Sequence, residues 1–210
     1  MPREPFDFLR LADRVYKDYP SFDGVPYLLP ALYGANEPTR VKCMVVLLSP
    51  ALAETQRGFL FREPRTVAEA LERHRSIFHS WAAKEPMKQF FDLILKACGG
   101  EGQRFWFSEE GRNRFFSTLY VTDVWKAESG KDDAYWFGVL REEIVGVRPR
   151  LCISFGKDAN TAVTEQLKEV ANSAHLDRVP IHIPAGFPGG QNRSWPLALD
   201  ELKSALQRHG

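Results

Sequence analysis

The chain has 210 residues, of which 44% are hydrophobic and 26% charged, and its formal net charge is +1. That balance excludes a disordered or collagen-like chain and suits one globular domain, spanning 1–210, with a sizeable core. No apolar run is long enough to span a bilayer, and the near-neutral charge neither demands nor excludes nucleic acid.

Residues 1–40 read as an N-terminal helix and a lead-in. Phe6, Leu9, Ala12, Val15 and Tyr16 follow helical spacing, and Tyr19 to Gly24 break it. No apolar signal region follows Met1-Pro2-Arg3-Glu4-Pro5, so a cytoplasmic protein is expected. Val41 to Leu48 is a short, continuously apolar run, as in a strand covered on both faces. Val67 to Trp81 reads as a helix. Pro86 starts a second one, with Met87, Phe90, Phe91, Ile94 and Leu95 on one stripe and Gly99-Gly100 at its end.

Ser117 to Thr122 is the next strand candidate. Asp132-Asp133 cap a helix that carries Phe137, Leu140, Ile144 and Val147. Leu151 to Phe155 is a third strand, followed by a helix with Ala159, Val163, Leu167 and Val170. Val179 to Ile183 is a fourth strand, and the last helix carries Trp195, Leu199, Leu202 and Leu206. Strands alternating with helices predict an α/β fold, a three-layer α/β/α sandwich around a mainly parallel four-stranded sheet.

Such sheets bind ligands beyond the C-terminal ends of their strands. Four places qualify: Ser49 to Phe61, Asp123 to Lys126, Gly156 to Asn160, and Pro184 to Arg193. Gly156-Lys157 is not a phosphate loop, because Leu151 stands where its first glycine belongs. No GxGxxG follows a strand, and no GxSxG elbow is present. The three cysteines, Cys43, Cys98 and Cys152, form no CxxC pair, and their odd number argues against a disulfide framework. Neither a metal nor an iron–sulfur cluster is expected. The arginine pairs Arg62/Arg65 and Arg73/Arg75, with Arg104, Arg112 and Arg114, read first as solvated charges.

Taken together, the strand-end segments resemble the uracil-DNA glycosylase superfamily. Pro50, Glu54, Gly58 and Phe61 keep the spacing of its first motif, which in the iron–sulfur branch reads roughly G-E-A-P-G-x-x-E-D-x-x-G-x-P-F. Tyr120 to Lys126 resembles Y-I-T-N-V-V-K. Ile144 to Gly156 resembles a helix-to-strand passage, and Phe187 to Arg193 resembles the closing H-P-S-G-x-N. The resemblance runs in order from about residue 41 to the C-terminus, and the missing cluster cysteines mark a cluster-free branch.

The resemblance implies a DNA partner and a base flipped out of the stack. It places Pro50, Phe61, Asp123 and Phe187 around that base, with Phe61 stacking on it and Asp123 reading its edge. Arg57, Arg62, Lys126, Gly189, Gly190, Asn192 and Arg193 would hold the DNA, the last four in a wedge segment. No cofactor and no membrane partner is implied.

The chain departs from the pattern at the chemistry. Leu48-Ser49 stands in place of the first-loop acid or amide, and Phe187 in place of the histidine. Ser49 and Glu54 are the candidate catalytic residues; His182, Asn160 and Asn192 are further candidates, and Trp125 and Trp136 are candidate stacking rings. Each of these also has an ordinary structural reading, as a cap, a solvent-facing loop residue or a core side chain. Asp123 stands where the family mostly has asparagine. An ionised aspartate offers only acceptors, so it would repel uracil O4 and accept from an exocyclic amine. A base other than plain uracil is therefore expected, unless Asp123 instead pairs with Lys126 or an arginine. Three functions stay open: a glycosylase acting on a damaged base, an inactive nucleic-acid-binding module, and a pocket for a free base or nucleotide.

Overall fold

The computed structural model describes residues 6–18, 31–49, 66–100, 106–126, 133–173, 178–186 and 194–209. Four strands form one parallel sheet: β1 (Cys43–Leu47), β2 (Leu119–Asp123), β3 (Leu151–Phe155) and β4 (Ile181–Ala185), in the order β2-β1-β3-β4. Seven helices are described around it: α1 (Phe8–Asp18), α2 (Val67–Ala82), α3 (Met87–Ala97), α4 (Glu109–Thr118), α5 (Asp133–Val147), α6 (Lys157–Asn172) and α7 (Trp195–His209).

The layers follow from side-chain alternation along the strands. Cys43, Val45, Leu47, Val121 and Ile153 join one apolar cluster with Phe78 of α2, Phe90 and Phe91 of α3, Phe115 of α4 and Leu202 of α7. Met44, Val46, Tyr120 and Cys152 join the other, with Leu11 of α1, Trp136 and Ile144 of α5 and Val163 of α6. β1, β2 and β3 are buried throughout, as expected for strands covered on both faces. The protein is therefore an α/β/α sandwich.

The strand register fixes the crevice. Leu47 lies opposite Asp123, and Val46 opposite Ser154. From β1 the chain crosses to β2 on one side, and from β3 to β4 on the other. The ends of β1 and β3 thus form the switch point at which such sheets open a binding crevice. β4 is an edge strand. Ile181 N donates to Arg150 O, so alternation turns the Pro184 nitrogen to the open edge, where no donor is needed.

Several sequence expectations shift. The N-terminal stripe holds at Ala12 and Val15, which are buried, but Phe8 and Leu11 complete it and Leu9 is 56% exposed. β4 starts two residues later than expected. Ser117 and Thr118 belong to α4 rather than to a strand. That helix was not expected, because Gly111 and Asn113 are weak helix formers and its apolar face rests on Phe115 and Phe116. Its start is nonetheless written locally: Ser108 caps the Gly111 N–H, and Glu109 and Glu110 fill the first turn.

The cysteine expectation is corrected. Cys43 on β1 and Cys98 after α3 are joined as a disulfide with Cα atoms 6.0 Å apart, and Cys152 is free and buried. Two distant cysteines meet because α3 packs across the start of the sheet. The bridge closes a loop with a sequence separation of 55. Chain entropy then gives a stabilisation of about 4 kcal/mol. Guanidinium unfolding with and without reductant should differ by up to that amount, and Cys98→Ser should match the reduced protein; coincident curves would show that the thiols are not joined.

Candidate functional site

Asp123 ends β2, beside the end of β1. It is 1% exposed. The backbone pairing carries on past both strands, with Val124 N donating to Leu47 O and Trp125 N to Leu48 O. The carboxyl group is therefore held beside the start of the loop that leaves β1. Ser49 opens that loop and is exposed.

A second strip of backbone runs antiparallel along the outer edge of β2. Ala31 N donates to Lys126 O, and Gly34 exchanges two hydrogen bonds with Val121. Gly34 has φ +61°, and a Cβ there would collide with the Phe8 ring, so this close approach requires glycine. Arg75 of α2 clamps the strip, donating to Tyr33 O, Ala35 O and Asn36 Oδ1, with its guanidinium 5.2 Å from the centre of the Phe116 ring. Arg75 is thus not a solvated charge. The strip delivers Tyr33, whose hydroxyl donates to the Asp123 carboxylate. The carboxylate oxygen Oδ2 is buried and has no partner among the described residues.

Behind Asp123 lies a buried ion pair. Lys126 Nζ is 2.9 Å from Glu143 Oε2, with the two side chains 0% and 1% exposed. Lys126 also donates to the main-chain oxygen of Asp123 at 2.8 Å. Glu143 accepts from the Tyr120 hydroxyl at 3.0 Å and from Thr122 Oγ1 at 2.9 Å. Lys126 was expected on the DNA backbone; full burial against Glu143 rules that out, and its role is to position the end of β2. The alternative reading, an Asp123–Lys126 pair, holds only for the Asp123 backbone, since the ammonium ion pairs with Glu143. Sequence reasoning missed Glu143. Its signal is a carboxylate on the buried stripe of Trp136, Leu140, Ile144 and Val147. It also missed Tyr33, which lies outside any periodic segment.

Electrostatics follow from this arrangement. Burial pushes the Asp123 carboxyl up to about 7; Lys126 and the Tyr33 hydrogen bond pull it down, and Glu143 pushes it further up. Burial also raises Glu143, while Lys126 and the Thr122 and Tyr120 hydroxyls pull it back. Burial, then the charge of Asp123, raises the Tyr33 phenol well above its ordinary value.

The other candidates separate from this site. Ser154 is buried, with Oγ donating to Asn160 Oδ1 at 2.6 Å and 2.7 Å from His182 Nε2. Which of Ser154 and His182 donates in this contact depends on the imidazole tautomer. His182 also meets Thr164 Oγ1 at 3.3 Å, which ties β4 to β3 and α6 on the face away from Asp123. His182 and Asn160 thus sit together beside β3 and β4, apart from Asp123, and line a cavity with Gly156, Thr164 and Ala185. Trp136 is fully buried in the core, and Trp125 donates to Asp133 Oδ1. Pro50, Glu54, Arg57, Phe61, Arg62, Phe187, Gly189, Gly190, Asn192 and Arg193 lie outside the described residues. Among the described residues, no cluster of three or more His, Cys, Asp or Glu side chains could hold a metal, and no helix is long and apolar enough to cross a membrane.

No family model matches the chain, and no curated protein matches it.

The buried charges make two predictions. Lys126→Met leaves Glu143 charged and unpaired and should cost about 3–5 kcal/mol in urea unfolding, whereas Lys126→Met with Glu143→Leu should recover most of it. The second concerns pH. The folded-state value of Asp123 lies above its unfolded value of about 3.9, so its contribution to stability is full below that pH and is lost as the pH rises through about 7. His74 acts in the opposite direction: burial lowers it to about 4, so its contribution is present above its unfolded value and is lost as the pH falls. Asp123→Asn should therefore weaken the destabilising trend between pH 4 and 7, to which the raised Glu143 also contributes, and leave the His74 trend. Parallel profiles for the two proteins would refute the assignment.

Proposed function

We propose that the chain is a divergent, cluster-free uracil-DNA glycosylase-like protein that binds DNA and takes a flipped base into the crevice beside Asp123. The observation that carries this reading is the Asp123 carboxyl: buried at a strand end, held by Tyr33, with one oxygen left for a ligand. A buried polar atom without a partner costs stability, and a base edge would supply the missing hydrogen bond. The α/β/α sandwich with a parallel sheet agrees with the fold that the resemblance implies. In this reading Pro50, Phe61 and Phe187 complete the base pocket. Arg57, Arg62, Gly189, Gly190, Asn192 and Arg193 hold the DNA, and hydrolysis of the N-glycosidic bond of a damaged base uses Glu54 or a water bound by Ser49.

A second reading is an inactive module that kept the pocket. Ser49 favours it, since this exposed hydroxyl at the end of β1 has no described base within hydrogen-bond reach, and serine alone is a poor general base. A cytoplasmic location belongs to the proposal as well. The Cys43–Cys98 bridge counts against it, because disulfides are rare in reducing compartments.

Duplexes carrying uracil, hypoxanthine, xanthine or mismatched cytosine, treated with the protein and then with alkali, decide between the two. Strand breaks that vanish in Glu54→Ala and Asp123→Ala are expected for the glycosylase. Intact strands with salt-dependent binding would establish the inactive module, and no binding at low salt would sink both.

A further inference from the structure

The free Asp123 oxygen can be taken one step further, on the reading that a base occupies this crevice. The Tyr33 hydroxyl acts on this carboxyl as a donor and favours its ionised form. The oxygen left without a partner is Oδ2, which is buried. Lys126 acts on the carboxyl through its charge, while its ammonium bonds to Glu143 and to the Asp123 main chain.

The surroundings can be named element by element. Tyr33 comes from the edge strip, Lys126 from the end of β2 and Glu143 from α5. Leu47 of β1 is opposite and apolar. Behind Tyr33 stand His74 and Arg75 of α2, with Tyr16 of α1.

We infer that Asp123 is a two-state specificity residue: its Oδ2 donates to a ring carbonyl of a keto base when the carboxyl is neutral, and accepts from an exocyclic amine when it is ionised. A neutral carboxyl presents a hydroxyl donor beside a carbonyl acceptor, which is the pattern of an asparagine amide. Uracil and hypoxanthine offer a carbonyl next to a ring N–H and match that pattern. Cytosine and adenine offer an amine, which suits the carboxylate. Burial places the changeover near neutral pH. The expectation that Asp123 turns uracil away therefore applies only on the alkaline side.

Fluorescence anisotropy tests this with duplexes carrying one uracil or hypoxanthine against duplexes carrying one mismatched cytosine or adenine. Fluorinated sugars at the probed nucleotide keep the base from being removed. At pH 5.5 the keto duplexes should bind about tenfold tighter, and at pH 8.5 that preference should vanish or reverse. Asp123→Asn, whose amide does not titrate, should keep the keto preference at both pH values. Tyr33→Phe removes a bond that favours the carboxylate, so its changeover should move to higher pH. A preference that ignores pH in the native protein, or follows it equally in Asp123→Asn, overturns the inference while DNA binding stands. If no duplex binds, uridine and inosine against cytidine and adenosine are measured in the same buffers. A pH-dependent ratio there keeps the inference and removes the DNA reading; no binding of any of these removes both.

Discussion

The buried Lys126–Glu143 pair organises this end of the sheet. An ammonium ion with no exposed surface is tolerable only with an ionised partner and further hydrogen bonds. Glu143 supplies the charge from α5, and the main-chain oxygen of Asp123 supplies one of the bonds. Tyr120 and Thr122, on the same face of β2, donate to the other side of the carboxylate. One interaction thus fixes where α5 docks, how β2 ends and which way the chain turns after Trp125.

The state of Asp123 is set first by burial, with Lys126 and Tyr33 pulling its carboxyl down and Glu143, the smallest influence, pushing it up. Strand alternation puts the Asp123 side chain on the Leu47 face, while Glu143 meets Tyr120 and Thr122 on the other face of β2. Glu143 holds the ammonium and the Tyr120 and Thr122 hydroxyls, while Asp123 has the Tyr33 hydroxyl and a more distant charge. The acid with fewer donors is the one that keeps its proton. Gly34 and Arg75 belong to the same account, because without the positive φ at Gly34 and the clamp of Arg75 the strip would not bring Tyr33 to the carboxyl.

The sequence made the sheet legible for a simple reason. β1 and β3 are covered on both faces, so their apolar runs are unbroken and bounded by polar residues or Pro and Gly. Asp123 was legible too, as a charged residue at the end of such a run. Its partners were not. Tyr33 arrives through a strip without periodicity, and the contact with β2 spans about ninety residues of chain, closed by two backbone hydrogen bonds at Gly34. Glu143 was hidden by the habit of assigning a helical glutamate to solvent; its place on the buried stripe was visible, but the cation it meets was not. The disulfide was missed because counting cysteines says nothing about which helix end crosses which strand.

Recognition and hydrolysis make different demands on this crevice. Recognition of the proposed base would need a desolvated polar atom at a fixed place, and the buried Asp123 carboxyl at the end of β2 is one. Hydrolysis needs, in addition, an acid or base near the scissile bond and stabilisation of the departing base. At the first-loop position the described chain offers Leu48 and the hydroxyl of Ser49, and His182 is committed to Ser154 and Thr164 on the opposite face. A neutral Asp123 changes the second of these demands. A hydroxyl facing a base carbonyl forms a stronger hydrogen bond as negative charge grows on that oxygen. The residue that reads a keto base would then also favour its departure, and an ionised Asp123 would oppose it. On the proposed reading, chemistry beside Asp123 would thus be tied to the same proton that would set the choice of base.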